Sequence, residues 1–428
     1  MKTLRNLQNE LCSGEYDSRL AKIYGCELCL AHEKRERLLS LLARYETTFG
    51  VADCVGLFSG PGRTELGGNH TDHQHGHILA AAVELDTVAC AGCSGSNEVH
   101  IISEGYPDLI LSAAEHDPIP AEEGTSAALV RGILARIAEM GFAVAGFHAV
   151  VDSNVLGGSG LSSSAAYEVL IGVIVNHLFC ADSLTMIQIA QIGQYAENVY
   201  FGKPCGLMDQ LTSAVGGVVS IDFGDPASPV VTKLALSPES YGYALCIIDS
   251  GADHADLTEE YAAIPHEMGQ VARYFGKSVL REVDEHTFWQ AIPVLRATAG
   301  DRAVLRAIHY FTDNRFAEEE AAALHTGDFR SFLSLVRCSG LSSALNLQNL
   351  SCSKYPKEQG IPVALATAEH LLNGKGAVRI HGGGFAGTVQ AYVPLEEMDS
   401  FRAGMEAVLG AGCCHFLHLR PTGGVVLS

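Results

Sequence analysis

The sequence predicts an α+β fold in two domains, with the working site in the cleft between them. Three observations carry this. The chain has 428 residues, and a single core stops growing at roughly 250 to 300 residues, beyond which chains divide. Strand-like and helix-like segments come in blocks within each half rather than in a regular βαβ alternation. A turn-rich stretch, Ile221-Asp-Phe-Gly-Asp-Pro-Ala-Ser-Pro-Val230, interrupts the chain near its middle, which places the domains at 1–226 and 227–428.

The elements follow in order. Residues 1 to 48 repeat apolar side chains at helical spacing, as at Leu38, Leu39, Leu41, Leu42 and Tyr45, and form a helical extension. Short β runs follow at 83–90, 99–103 and 147–151, with an amphipathic helix at 127–140 and two further helices at 162–179 and 185–201. The second half opens with a strand at 243–248, is mainly helical from 256 to 375, and returns to strands at 376–380, 388–393 and 415–419. The last of these can rejoin the first domain. No internal repeat or low-complexity segment interrupts the pattern.

Composition narrows the function. Apolar residues make up 47% and charged residues 18% of the chain, a globular balance. The formal charge is −21, from 49 acidic and 28 basic residues, which repels a nucleic-acid backbone. An anionic substrate must therefore be received locally, by backbone N–H groups, a helix N-terminus, a metal ion or a few basic side chains. Thirteen cysteines, mostly single in apolar surroundings, suit a reducing compartment. The N-terminus lacks the apolar region of an export signal, and no apolar stretch is long enough for a bilayer, so a cytoplasmic protein without a membrane anchor is expected.

Four segments carry chemistry. Val155-Leu-Gly-Gly-Ser-Gly-Leu-Ser-Ser-Ser-Ala-Ala-Tyr167 runs a glycine-rich loop into serines that open a helix, where free N–H groups and the helix dipole favour phosphate. It lacks the lysine of a Walker A loop. Ser59-Gly-Pro-Gly-Arg-Thr-Glu-Leu-Gly-Gly-Asn-His-Thr-Asp-His-Gln-His-Gly-His77 packs one arginine, two carboxylates and four histidines among turn formers. It predicts a backbone folded tightly around a polar, sugar-sized ligand, with Arg63 for phosphate and Asp72 for hydroxyls. Zinc on these histidines, or on Cys26 with Cys29 and Cys90 with Cys93, is the weaker reading. Glu197 and Asp209 flank the break Gly202-Lys-Pro204, so one can serve a metal ion and the other a proton. Ile380-His-Gly-Gly-Gly-Phe-Ala-Gly-Thr388 is a glycine-rich hinge.

Together and in this order, these segments resemble the three signature motifs of the galactokinases, in the GHMP kinase superfamily. The motif Gly-Arg-x-Asn-Leu-Ile-Gly-Glu-His-x-Asp-Tyr is approximated by Gly62 to His73, the phosphate loop by Leu156 to Ser164, and the third motif by Gly382 to Gly387. The resemblance implies a ribosomal S5 domain 2-like N-terminal domain, a ferredoxin-like C-terminal domain, and transfer of the ATP γ-phosphoryl group to the anomeric hydroxyl of galactose with Mg²⁺ as cofactor. It further implies Asp209 as catalytic base with Arg63 beside it, and magnesium on Ser164 and Glu197. ATP would lie on Gly157, Gly158, Ser159, Gly160, Leu161, Ser162, Ser163 and Ser164. Asn69, His70, Asp72, Gly206 and Tyr261 would meet the sugar. Partners are the sugar and ATP alone, and a monomer is the default.

Several positions depart from the pattern. Asn69 stands for the family's sugar-binding Glu, His73 for its Tyr, Glu65 for its Asn and Gly67 for its Ile, while Asp253, Leu156, Ala386 and Thr388 vary elsewhere. Loss of a carboxylate at 69 admits a sugar with a C6 carboxylate, so galacturonate is the alternative acceptor. A sugar- and ATP-binding regulator without turnover is a further alternative, which retention of Asp209 and Arg63 opposes.

Overall fold

The computed structural model describes residues 1–251 and 257–428, with every side chain in them except those of residues 29, 30 and 258. Asp253 therefore lies outside the described residues. The strands are β1 (Gly56–Gly67), β2 (His77–Cys93), β3 (Glu98–Ser103), β4 (Leu109–Ser112), β5 (Phe147–Ser153), β6 (Val218–Asp222), β7 (Val230–Leu234), β8 (Tyr243–Asp249), β9 (Ala377–Ile380), β10 (Thr388–Pro394), β11 (Cys414–Leu417) and β12 (Val425–Val426).

The first sheet runs β12-β1-β2-β5-β3-β4, and β6 joins β2 and carries β7 on its other edge. The long β2 is shared: it pairs β1 on one side, while β5 takes residues 87–93 and β6 residues 77–81 on the other. Helices Ser126–Glu139, Ser163–Phe179, Met186–Ala196 and Met208–Val215 cover one face through an apolar cluster that includes Phe58, Ile78, Val169, Leu170, Ile174 and Leu211. The N-terminal helices, Leu4–Cys12, Asp17–Tyr24 and Leu28–Phe49, cover the other face, packing Leu7, Leu20, Leu41 and Leu42 on Leu57, Val88 and Val150.

One carboxylate fixes this extension to the sheet. Asp86 is fully buried and accepts from Tyr24 Oη (2.5 Å), Ser59 Oγ (2.5 Å), Arg37 Nη1 (2.6 Å) and Arg420 Nη1 (2.8 Å). Burial alone would raise its pKa, but the two guanidinium groups hold it down at about 2. The N-terminal 48 residues thus close the back of the sheet on which the motifs sit.

The second sheet is antiparallel, in the order β11-β8-β10-β9. Helices Gly360–Leu372 and Met398–Leu409 cover one face. Between the two sheets, Phe329, Phe332 and Val336 of helix Phe329–Ser342 join Leu66, Leu79 and Ala81 of the first sheet to Leu245 and Tyr392 of the second. The boundary expected near 226 falls inside the β6–β7 hairpin: β7 stays on the first sheet, and β12 returns to it beside β1.

The first part of the segment read as turn formers around a ligand, residues 59–67, is instead a buried strand. Gly60-Pro61-Gly62 lies within β1, with register shifts after Pro61 and Glu65, as expected where proline withholds a ladder donor and bulges re-aim side chains. Its glycines are there for closeness. A Cβ on Gly60 would stand 2.4 Å from the Ala166 carbonyl oxygen of helix Ser163–Phe179, so the helix that opens at the phosphate loop rests directly on the strand that carries Arg63.

Behind the site, charge is buried where the two sheets meet. Arg379 on β9 donates to Glu65 on β1 (2.6 Å), with Asp313 and Glu320 of helix Asp301–Thr326 also facing it. Neither carboxylate oxygen of Glu320 has a hydrogen-bond partner. Burial pushes its pKa well up, Arg379 opposes this, and Asp313 and Glu65 add to it. A Cβ on Gly67 would fall 1.7 Å from Glu320 Oε2, so glycine at 67 and the buried acid at 320 are one arrangement.

Because the folded-state pKa lies above the unfolded value of about 4.3, Glu320 carries no penalty below that pH and a growing one as pH rises toward its folded value. Glu320→Gln is therefore expected to stabilise the protein at pH 8 by about 1 to 3 kcal/mol. Thermal melts should show the gain shrinking toward pH 5. An equal gain at both pH values would contradict it.

Candidate active site

The loop that follows β5 is held open by unusual backbone. Gly158 and Gly160 each have φ +73°, and Ser162, at the N-cap of helix Ser163–Phe179, has φ +56°. A Cβ at Gly157 or Gly158 would meet nothing within 4 Å, whereas one at Gly160 would come 2.9 Å from His381 Nδ1. The outer face of the loop is thus free for a ligand, above a helix N-terminus whose first N–H groups lack helical acceptors.

The inner face is braced by a directed chain. The Thr388 hydroxyl donates to the Ser159 carbonyl (2.8 Å), so it accepts from His381 Nδ1–H (2.9 Å). On the other ring nitrogen, Thr64 Oγ1 accepts from Gln390 (2.8 Å) and donates to His381 Nε2 (2.9 Å). Both contacts require the neutral imidazole. Burial, with Arg63 and Arg379 nearby, pushes the His381 pKa down to about 3.

Arg63 joins the loop to the proposed base. Its Nε and Nη2 donate to the two carboxylate oxygens of Asp209 (2.7 and 2.5 Å), and its Nη1 donates to the Gly160 carbonyl. Ser162 Oγ adds a third donor to Asp209 (2.7 Å). Helix Met208–Val215, which presents Asp209 in its first turn, is tied to β1 by Ser213 Oγ on the Pro61 carbonyl (2.6 Å). Burial would raise the Asp209 pKa, but the charge and hydrogen bonds of Arg63 and the bond from Ser162 take it below its ordinary value.

Asp72 stands next to this pair and behaves oppositely. Burial, with the charge of Asp209 among the further causes, pushes its pKa up to about 6. Gly206 lies against it, since a Cβ there would be 2.1 Å from Asp72 Oδ2. Two neighbouring carboxylates are thereby held apart in protonation.

Glu197 begins a π-helical turn, Glu197–Phe201, at the end of helix Met186–Ala196, a local distortion frequent at functional sites. Its carboxylate accepts from Lys203 Nζ (3.2 Å) and Gln210 Nε2 (2.8 Å). The same Gln210 amide donates to Glu168 (2.9 Å), whose other oxygen is buried without a partner. Glu168, Gln210 and Lys203 are functional neighbours that the sequence reading missed. The signal for Glu168 was its place one helical turn after Ser164, on the same face.

The remaining expected sugar contacts are engaged with the glycine hinge. Asn69 Nδ2 donates to Glu65 (3.0 Å) and to the Gly382 carbonyl (2.8 Å), while its Oδ1 accepts from Asn349 (3.0 Å) and Ser343 (3.4 Å). That fills the amide, so Asn69 holds the two halves together and has no capacity left for a sugar hydroxyl. His70 Nε2 donates to the Gly383 carbonyl (2.9 Å), and Tyr261 Oη to that of Gly384 (2.9 Å). His70 is kept neutral, its pKa pushed down to about 4 mainly by burial. His73 Nε2 is buried without a partner. Among the described residues, no group of three or more His, Cys, Asp or Glu side chains could hold a metal ion, which removes the zinc readings there; the Cys29 side chain lies outside that set.

Against known families, residues 43–93 match the galactokinase galactose-binding signature and residues 128–217 the GHMP kinases N terminal domain. The chain thus carries a match to the GHMP kinase N-terminal domain and one to the galactose-binding signature of galactokinases. The fold agrees. A galactokinase from Lactococcus lactis, solved with galactose, superposes with a TM-score of 0.77 at 22% identity over 91% of this chain and 99% of that one. Mevalonate kinase from L. major, solved with R-mevalonate, gives 0.58 at 15% identity, covering 86% and 97%. A D-glycero-D-manno-heptose 1-phosphate kinase from Bacteroides thetaiotaomicron gives 0.58 at 15%, covering 87% and 98%. No helix among the described residues is long and apolar enough to cross a membrane.

Gly206→Ala drives a methyl group into the Asp72 carboxylate. The expected result is a loss of about 10²-fold in kcat/KM for the acceptor sugar, with KM for ATP unchanged. Equal losses on both substrates would place Asp72 outside acceptor binding.

Proposed function

We propose that this kinase transfers the γ-phosphoryl group of ATP to the anomeric hydroxyl of galactose, giving galactose 1-phosphate and ADP. The observation that carries the reading is the two-point bond between Arg63 and Asp209, set between the phosphate loop and Asp72. Phosphoryl transfer asks for alignment and charge neutralisation more than covalent chemistry. The loop from Gly157 to Ser164 supplies backbone donors for ATP, and Arg63 supplies fixed positive charge where the phosphoryl group moves. Asp209, held ionised, accepts a hydrogen bond from the sugar hydroxyl. Its lowered pKa makes it a weak base, so it orients the nucleophile first and takes the proton late.

Asp72, His70, Gly206 and Tyr261 frame the acceptor in this reading, with Asn69 acting through the hinge it holds. The Asn69 amide is filled by Glu65, Gly382, Ser343 and Asn349 and offers nothing to a C6 carboxylate, which leaves galactose ahead of galacturonate.

Magnesium fits the donor set. Ser164 and Glu197 offer the oxygen ligands the ion prefers, and the unpartnered Glu168 oxygen lies beside Gln210, which also holds Glu197. These residues would hold the ion, which when bound neutralises phosphate charge. A monomer in the cytoplasm, with domains at 1–226 and 227–428 apart from the returning β7 and β12, completes the proposal.

The test is coupled ADP release with Mg-ATP against galactose, galacturonate, glucose, arabinose and N-acetylgalactosamine. Galactose should give the highest kcat/KM, and Asp209→Asn should lower kcat by about 10² to 10⁴. Preference for galacturonate would overturn the acceptor, and no turnover on any sugar would favour a regulator.

A further inference from the structure

Cys413 and Cys414 are adjacent in sequence and nothing in phosphoryl transfer uses them. Neighbours inside a strand point to opposite faces, but Cys413 precedes β11, so the two sulfurs come within 3.9 Å of each other. The facing strand brings a third thiol: Cys246 on β8 lies opposite Phe416, and Cys414 lies opposite Ile248, so both thiols share one side of the sheet with the same apolar cluster. The turn before them carries Gly410 and Gly412 at φ +102° and +81°, and a Cβ on either would meet nothing within 4 Å. The two thiols are buried directly beside this open, glycine-rich turn, where a small reagent can approach.

We propose that Cys413 and Cys414 form a thiol site that hydroperoxides oxidise to a disulfide between these two residues, with Cys246 as the neighbouring third thiol. The division of labour follows from the surroundings of each thiol. Cys246 and Cys413 beside Cys414 favour its thiolate and Arg402 adds to this, while burial and Glu406 oppose it, leaving the Cys414 pKa below its ordinary value. Cys413 stays protonated, pushed up to about 12 by burial and by Cys414. The nucleophile is therefore Cys414.

The chemistry balances without further reagents. The Cys414 thiolate attacks the terminal oxygen of a hydroperoxide, the O–O bond breaks, and the alkoxide leaves and takes a proton as the alcohol. Cys413 then attacks the Cys414 sulfenic sulfur, the S–S bond forms, and hydroxide leaves as water with the Cys413 proton. Two thiols lose two electrons and one peroxide gains them. The site also has a path to the glycine hinge: the Cys413 carbonyl accepts from the Asp249 N–H (2.8 Å), and Ser250 next to Asp249 is bonded to the Gly387 carbonyl of the third motif.

The experiment uses the full-length protein with hydrogen peroxide, followed by alkylation and peptide mass spectrometry. The tryptic peptide 403–428, left uncut at Arg420 because Pro421 follows it, should lose both iodoacetamide adducts and regain them after dithiothreitol. In Cys413→Ser, whose folding is checked by its thermal melt, Cys414 should be trapped as a sulfenic acid by dimedone. Oxidation confined to the exposed Cys12, Cys54 and Cys93, with both adducts retained at 413 and 414, would overturn the site. A bond between Cys246 and Cys414 in the wild type would overturn the pairing.

Discussion

The site depends on one partly buried ion pair whose partners come from different layers. Arg63 sits on β1 and Asp209 on the helix packed against it, and the guanidinium binds the carboxylate at two points while holding the phosphate loop through Gly160. Arg63 itself is buried, and a buried charge left without its partner is costly. Much of the surrounding structure can be understood as fixing that pair. Gly60 of β1 lets the helix after the phosphate loop approach, Ser213 ties the Asp209 helix down, and Ser162 completes the carboxylate's shell.

A second requirement is that the two halves keep their relation, because the glycine hinge belongs to the second half and the phosphate loop to the first. Neutral histidines serve here as connectors. His381 relays hydrogen bonds from Thr64 to Thr388 and so to Ser159, and His70 grips Gly383. Asn69 gives every hydrogen-bonding position it has to this junction. The departures from the galactokinase motif make physical sense together: the carboxylate absent at 69 reappears at 65, where Arg379 and the Asn69 amide receive it, and glycine at 67 makes room for Glu320.

Much of this was legible from residues alone. The amphipathic spacing of Leu38 to Tyr45 marked the long N-terminal helix, and the glycine-to-serine run at 157–164 marked a phosphate loop at a helix start. β1 was hidden because Gly60, Pro61 and Gly62 are turn formers in isolation, and only the helices packed on them explain a strand there. β12 was hidden by its two-residue length, and β7 by a turn-rich approach. Glu168 and Gln210 sit in ordinary helical sequence, and their role arises from a contact across elements that no local pattern displays. Asn69 was assigned to the ligand because its motif position is informative, while its hydrogen-bond partners lie 274 and 280 residues away.

The central claim is that Arg63 and Asp209 act as one unit, and a double-mutant cycle on kcat tests it most directly. Arg63→Ala, Asp209→Ala and the double variant should each lose nearly the same activity, because either single change dissolves the unit. Losses in the double variant equal to the product of the two single losses would contradict the account.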